Sequence, residues 1–342
     1  MEPAEFYRQT TERMVEALEQ GTAPWIRPWR NSGSGEGGGD PVNAVTGRPY
    51  QGVNALNLAL YALSSGVNDM RFATFRQAKE KGWGIRRGAQ GLPVIKLVSP
   101  RPDFPRAPSG GEQKDGEGEE KRPRKAGEKK DSSGKGTGLI PRIYHVFSSA
   151  DLVGLPAQGD ERREAASREC LLGEKEHEVA GTFCRRLSEG LDVPVRHGGN
   201  RAFYDRNADE ITLPPEGDFR ELEGYLGTLF HEFGHATGHE KRLNRTFGPW
   251  GASAYAFEEL VAEIASLFVG MRTGVSPDEA HFHNHAAYIG AWIETLRNDR
   301  RALFRASSLA QEACNLLLGV LGKEMGRGEG EEEGASQLRA LA

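Results

Sequence analysis

The chain has few cysteines, few apolar residues and no long apolar run. Its three cysteines, Cys170, Cys184 and Cys314, are too few for a disulfide framework and show no C-x-x-C spacing, so a reducing compartment is expected. Hydrophobic residues make up 37% of the 342 residues, against about 45–50% in ordinary globular domains. No run of about 18 apolar residues predicts a membrane span, and the polar N-terminus is unlike a secretory signal. We therefore expect a cytoplasmic chain with no membrane partner, part of which does not fold.

Residues 99–138 are rich in Gly, Lys and Glu, and Phe104 is their only large apolar side chain. Such a segment buries too little surface to offset its ordering entropy, so we predict that it is disordered. Strand-like runs flank it at 92–98 and 139–147. We interpret it as an insertion between two strands of one domain, and the alternative is a linker between domains. Residues 323–342 are predicted to form an acidic, Gly-rich, disordered tail.

Residues 231–235 read H-E-F-G-H within an apolar, helical stretch. Residues four apart share one face of a helix, so His231 and His235 can reach the same metal ion. Glu232 can then take a proton from a water molecule that the ion activates, which is the metallopeptidase arrangement. We predict that the two histidines are metal ligands and that Glu232 is the general base.

The third metal ligand has several candidates. A metzincin pattern would require histidine at position 241, where this chain has Lys241. His239 lies eight residues after His231, more than two helical turns away, so one straight helix does not easily bring both to one ion. The other candidates are acids on the helix predicted over residues 254–268.

That helix carries Glu258, Glu259 and Glu263, of which the last two share a face. Acids that face into an apolar helix need partners. The economical arrangement gives Glu259 to the metal and lets Glu263 accept a hydrogen bond from a ligating imidazole. The E-x-x-A-E spacing resembles the E-x-x-A-D of gluzincin-type peptidases. Glu258 is expected on a solvated face, although it and His239 remain candidates for a fourth ligand in a purely structural site.

Two histidines and a glutamate suit Zn²⁺ best, and Mn²⁺ or another divalent metal fits the same ligands.

The first half of the chain has a different character, because its aromatic residues alternate with cations. Residues 1–98 carry 12 Lys and Arg against 9 Asp and Glu, whereas residues 161–342 carry 21 against 30. Rings that stack on bases and cations that follow phosphates are typical of single-stranded nucleic-acid binding. The candidate residues are Trp25, Arg27, Trp29, Arg30, Arg48, Tyr50, Asn54, Trp83, Arg86 and Arg87.

The sequence resembles one known family over both halves. The stretch 228–245 (TLFHEFGHATGHEKRLNR), the YAFEELVAE run after it and AAYIGAW at 286–292 are similar to the zincin-like metallopeptidase domain of the antirestriction protein ArdC family. The P-W pairs at 24–25 and 28–29, the T-G-x-x-Y-x-G-x-N pattern at 46–54 and T-F-x-x-A at 74–78 resemble its N-terminal domain. The resemblance covers residues 4–322. It implies single-stranded DNA binding by the first domain, with His231, His235 and Glu259 as ligands and Glu232 as catalytic base in the second.

The sequence thus predicts an α+β fold with two domains. The first, residues 1–155, is a single-stranded-DNA-binding domain that contains the 99–138 insertion. The second, residues 165–322, is a mostly helical zincin-like domain with a small sheet, whose strands are expected at 201–204 and 210–213. We expect an antirestriction-type protein of a plasmid or other mobile element with a zinc-type metallopeptidase site for a protein substrate. The alternative is a single-stranded-DNA-binding protein whose metal domain is structural or docks a partner without proteolysis.

Overall fold

The computed structural model describes residues 2–20, 40–67, 69–98, 140–156, 174–219, 221–246, 253–275 and 286–325. The predicted insertion, residues 326–342 of the predicted tail and the candidates Trp25, Arg27, Trp29 and Arg30 lie outside these ranges. The helices are α1 (Pro3–Glu19), α2 (Val53–Ser65), α3 (Phe75–Glu80), α4 (Glu174–Leu191), α5 (Leu222–Ala236), α6 (Ser253–Thr273), α7 (Ala286–Asn298) and α8 (Ala302–Met325). The α+β class is confirmed.

Strands in the first half form two sheets. They are β1 (Val42–Asn43), β2 (Arg71–Thr74), β3 (Gly84–Ile85), β4 (Leu92–Val98), β5 (Ile140–Ser148) and β6 (Leu152–Val153). The larger sheet has the order β1-β2-β5-β4, and β3 pairs with β6. Strands β4 and β5 pair antiparallel from Leu92↔Val146 to Val98↔Ile140. The two strands predicted on either side of residues 99–138 are therefore neighbours in one sheet, which favours the insertion over a linker between domains.

Helix α2 covers the free edge of β4. The Asn54 side chain accepts a hydrogen bond from the Ile95 N–H at 2.8 Å and donates one to the Ile95 carbonyl at 2.7 Å. Asn57 donates to the Pro93 carbonyl at 3.0 Å. An edge strand otherwise presents unpaired backbone groups, so these amides complete the sheet at an edge where no other strand of the described ranges pairs. On the same side, Leu58 of α2 packs against buried residues of the sheet such as Phe72 and Val94.

A three-stranded sheet precedes α5, with β7 (Val195–His197), β8 (Phe203–Asp205) and β9 (Glu210–Leu213) in the order β7-β9-β8. The antiparallel pair β8–β9 confirms the two strands expected at 201–204 and 210–213. Strand β7, which pairs parallel to β9, was not foreseen. Its residues, Val195, Arg196 and His197, include a single apolar side chain, so the sequence shows no apolar alternation there.

The main hydrophobic core lies among the C-terminal helices and extends into the N-terminal half. It contains Phe233, Ile264 and Leu317 together with Met14 of α1 and Leu56 of α2. Two polar contacts strengthen this packing: Thr11 Oγ1 donates to the Arg300 carbonyl at 3.1 Å, and the Gly52 N–H donates to Gln311 Oε1 at 3.0 Å. Residues 157–173 lie outside the described ranges, so the domain boundary there stays a prediction.

Within the described residues, no helix combines the length and apolarity needed to cross a bilayer.

Candidate metal centre

Helix α5 carries the H-E-x-x-H pattern and is buried on almost every side. Its apolar residues, including Tyr225, Leu229 and Phe233, are fully buried, as expected for a helix that is apolar all round. His231 and His235 lie one turn apart and are 2% and 8% exposed. The sequence therefore places two imidazoles on one face of a helix inside the core.

Helix α6 packs along α5 and supplies the third donor. Ser266 on α6 donates to the Gly227 carbonyl of α5 at 3.0 Å, which ties the two helices together. Glu259, 4% exposed, faces the histidine pair. Within the described residues, His231, His235 and Glu259 form one group in which a donor atom from each lies within 4.8 Å of the others.

The distances in this group fit a divalent metal. His231 Nε2 and His235 Nε2 are 3.2 Å apart. Glu259 Oε2 lies 3.5 Å from His231 Nε2, and Glu259 Oε1 lies 3.4 Å from His235 Nε2. A tetrahedral ion with ligand bonds of about 2.0–2.1 Å has ligand–ligand distances of about 3.3 Å. The three predicted ligands thus occupy positions that one ion can bridge.

Two further glutamates contact the other ring nitrogens. Glu263, predicted to accept a hydrogen bond from one of the ligating imidazoles, has its Oε1 3.7 Å from His231 Nδ1. Glu258 Oε1 lies 3.3 Å from His235 Nδ1. The expectation that Glu258 lies on a solvated face is wrong, because the residue is 2% exposed. Its burial is stabilised by Arg245, which binds both of its oxygens, at 2.6 and 3.0 Å.

Sequence reasoning missed Arg245. It lies ten residues after His235, in a turn that folds back beneath the end of α5. The backbone N–H of Arg245 donates to the Gly238 carbonyl at 2.9 Å, and that of Leu243 donates to the Thr237 carbonyl at 2.9 Å. Two adjacent acids on an apolar helix were the available signal that a buried cation was required.

His239 lies apart from the metal-binding group. Its Nδ1 accepts a hydrogen bond from the Lys241 backbone at 3.2 Å and lies 3.8 Å from Asp209 Oδ2. Glu258 is held by Arg245, so among the described residues neither candidate fourth ligand joins the group. Three protein donors are also the number in catalytic zinc sites, which keep their fourth position for water or substrate.

The charges in the group perturb one another strongly. Burial opposes protonation of both imidazoles, but contact with Glu259 and Glu263 raises the pKa of His231. Burial is likewise outweighed at His235, where Glu259 and Glu258 raise the pKa to about 10. Although burial would raise it, the pKa of Glu259 lies far below its ordinary value because of the two histidines. A divalent cation at this point would replace imidazole protons, since metal ligands must be deprotonated.

The candidate nucleic-acid-binding residues differ in exposure and in the contacts that they make. Among those described, Arg48, Arg86 and Arg87 are exposed, and Trp83 is half-buried beside Ala73 and Ala78. Both polar groups of the Asn54 side chain bind the β4 backbone.

Tyr50 also has a structural environment. Its ring packs edge-on against Phe72, with centroids 6.4 Å apart, and its hydroxyl accepts from Asn43 Nδ2 at 3.5 Å. Tyr50 and Asn54 therefore have structural contacts that account for their positions without nucleic acid.

The fold and the three-donor group define a class: a two-part protein whose second part is a zincin-like metallopeptidase domain. Residues 184–309 match the family described as zincin-like metallopeptidase, and residues 4–147 match the N-terminal domain of anti-restriction factor ArdC. The chain belongs to the ArdC antirestriction family, and the resemblance noted in its sequence is confirmed.

Relatives match along nearly all of the chain. An uncharacterized protein, y4eC, of Sinorhizobium fredii is 31% identical over 92% of this chain and 91% of its own length. A DNA primase TraC of Escherichia coli is 33% identical over 94% of this chain, which spans 28% of the primase. The crystal structure of the antirestriction ArdC protein from the R388 plasmid, bound to Mn(II), is 28% identical with a TM-score of 0.65, covering 92% of this chain and 97% of that one. Its metal-free structure gives a TM-score of 0.64 at the same identity, covering 97% and 98%.

Proposed function

We propose that this protein is an antirestriction factor of a plasmid or other mobile element that binds single-stranded DNA and carries a metal-dependent peptidase site. The observation that carries the peptidase part is the group of His231, His235 and Glu259, buried and spaced for one divalent ion. Zn²⁺ suits these ligands, and the Mn(II) in the related R388 structure makes Mn²⁺ an equal candidate.

A divalent ion in this group would act as a Lewis acid, lowering the pKa of water and polarising a peptide carbonyl. Glu232, which follows the first ligand directly and is 6% exposed, would take the proton of the attacking water and pass it to the leaving amine. Glu258 and Glu263 lie 3.3 and 3.7 Å from Nδ1 of His235 and His231, where a proton shared with the carboxylate would direct each Nε2 toward the group.

Bound metal is the first measurement. Elemental analysis of purified wild-type protein should find close to one equivalent of Zn or Mn per chain, and Glu259→Ala should lose most of it. Metal retained in Glu259→Ala would show that another residue is the third ligand. Metal absent from both proteins would contradict the peptidase mechanism.

Glu232→Gln then tests the chemistry. The amide keeps the size of the side chain but cannot act as a base, so metal content should be unchanged while cleavage of a peptide library falls about 10²–10⁴-fold. Equal cleavage by both proteins, or none by the metal-loaded wild type, would favour the alternative in which the domain is structural or docks a partner.

Single-stranded DNA binding is supported by one face of the β4–β5 pair. Lys96 and Arg142 lie directly opposite each other on this face, and neither contacts a carboxylate among the residues that the structure describes. Like charges in a cross-strand pair are destabilising. Tyr144, 41% exposed, lies on the same face two residues from Arg142. A phosphate would relieve the repulsion and a base could stack on the ring.

Fluorescence anisotropy with a labelled oligothymidylate tests this surface. Stacking contributes about 1–3 kcal/mol per base, so Tyr144→Ala should weaken binding about 5–150-fold. Lys96→Ala with Arg142→Ala should also reduce the salt dependence of binding. Phe203→Ala is the control, because Phe203 is an aromatic of similar exposure, 48%, on the sheet of the second half. Equal losses in Tyr144→Ala and Phe203→Ala would contradict the assignment.

A further inference from the structure

Glu258 and Glu259, neighbours on α6, contact the two different nitrogens of one imidazole. Glu258 Oε1 lies 3.3 Å from His235 Nδ1, and Glu259 Oε1 lies 3.4 Å from His235 Nε2. Successive helical residues point about 100° apart, so two adjacent acids can hold a ring from both sides. A proton on Nδ1 that is donated to Glu258 leaves the Nε2 lone pair directed at the metal-binding group.

Arg245 fixes Glu258 in that position. Its guanidinium binds both Glu258 oxygens, through Nη2 at 2.6 Å and Nε at 3.0 Å. The same guanidinium donates to the Gly234 carbonyl at 2.7 Å and to Thr237 Oγ1 at 2.7 Å. Gly234 and Thr237 belong to the end of α5, where backbone carbonyls lack intrahelical partners and a cation is favourable. One side chain therefore joins the helix of the two histidines to the carboxylate that orients one of them.

The free energy needed to bury this ion pair indicates that the pair does more than stabilise the fold. Arg245 and Glu258 are 6% and 2% exposed, so both charges are removed from water. A buried ion pair is often no more stabilising than two apolar side chains of similar volume. What the ion pair provides, and an apolar pair would not, is a fixed acceptor at His235 Nδ1.

We propose that Arg245 and Glu258 are positioning residues of the metal centre: Arg245 holds Glu258, and Glu258 holds the His235 imidazole in the tautomer and orientation that bind metal. The proposal rests on the proposed metal site. It implies that metal binding by the second half of the chain requires an arginine that is not itself a ligand.

The decisive experiment is a comparison of Arg245→Met, Glu258→Leu and the double variant. Each single variant leaves one buried charge without its partner, so its unfolding temperature should fall. The double variant removes both charges and should recover most of that stability. Its affinity for Zn²⁺ and Mn²⁺, measured by competition with a chelator, should nevertheless stay about 10–100-fold below wild type. The visible spectrum of the Co²⁺-loaded protein should change as well, because it reports the ligand arrangement.

Arg242→Met is the matched control. Arg242 also binds a carbonyl at the end of α5, that of Ala236 at 2.6 Å, and also pairs with a buried acid, Asp209, but that acid contacts neither metal-binding histidine. This variant should lose stability and keep its metal affinity. Wild-type metal affinity in the double variant, or an equal loss of affinity in Arg242→Met, would overturn the proposal.

Glu258→Gln provides a second route if the double variant does not fold. It keeps the shape of the side chain and weakens its hold on Arg245 and His235, so metal affinity should fall by several-fold, and unchanged affinity would again overturn the proposal. Failure of wild-type protein to bind metal would instead refute the proposed function itself.

Discussion

Gly234 and Ala262 meet where helices α5 and α6 cross. A Cβ on Gly234 would lie 3.3 Å from both the Cα and the carbonyl oxygen of Ala262. Gly234 directly precedes His235, and Ala262 is three residues after Glu259. The absence of a side chain at position 234 therefore sets how closely Glu259 on α6 approaches His231 and His235 on α5.

Gly234→Ala should destabilise the protein and weaken metal binding together. Alanine favours a helix by about 1 kcal/mol over glycine, but overpacking against backbone costs about 1–3 kcal/mol, so the net change should be a loss of about 1 kcal/mol. Urea unfolding and chelator competition measure the two effects. Gly181→Ala on α4 is the control, because nothing lies within 4 Å of its new Cβ and stability should rise. A Gly234→Ala protein as stable as Gly181→Ala would refute the argument.

Metal binding should release protons. The pKa of His235 is raised to about 10 by Glu259 and Glu258 against the effect of burial, so this imidazole carries a proton at neutral pH that a metal ion must displace. Each proton released makes metal affinity rise about tenfold per pH unit, so the affinity should rise at least about tenfold per unit from pH 6 to pH 8. Calorimetry in two buffers of different ionisation enthalpy counts the protons directly. An affinity independent of pH over this range would contradict the prediction.

Asp209 should stabilise the fold above about pH 4 and lose that effect in acid. Burial alone would raise its pKa, but Arg242, Tyr204 and Lys241 bind its carboxylate and lower the pKa to about 2. Because the folded pKa lies below the unfolded value, the contribution is complete above about pH 4, amounts to about 2 kcal/mol, and disappears as pH falls toward 2.

Asp209→Asn tests this directly, since asparagine tolerates the positive φ of 53° at this position. The difference in unfolding free energy between wild type and variant should be largest at neutral pH and shrink between pH 4 and 2. A difference that stayed constant down to pH 2 would show that the carboxylate charge is not responsible.

Asn54→Ala should reduce stability without changing single-stranded DNA affinity. It removes two hydrogen bonds and leaves the Ile95 N–H and carbonyl at the edge of β4 without their partner, a loss of about 2 kcal/mol. Thermal unfolding and oligothymidylate binding separate the two outcomes. Asn298→Ala, at an exposed position at the end of α7, should leave both unchanged. Weakened DNA binding by a stable Asn54→Ala protein would return Asn54 to the interface.

Much of the site follows from short-range periodicity. The spacing of His231 and His235 in an apolar stretch predicts one helical face, and the spacing of Glu259 and Glu263 predicts another, because 3.6 residues per turn is a local property. The same reasoning failed at Glu258. A helical position alone does not show whether the opposing surface is solvent or, as here, a buried arginine.

The sequence by itself determined the helices that carry the site, the two strands around residues 99–138 and the three donors of the candidate metal group, since each depends on neighbours within about four residues or on one residue pattern. Only the tertiary structure decided how α5 crosses α6, where Arg245 lies and how Asn54 completes β4. It also placed α1 and α2 in the core of the C-terminal helices. Those features depend on contacts between distant segments. Such contacts are fixed by the packing of side chains against backbone, which leaves no periodic pattern in the sequence.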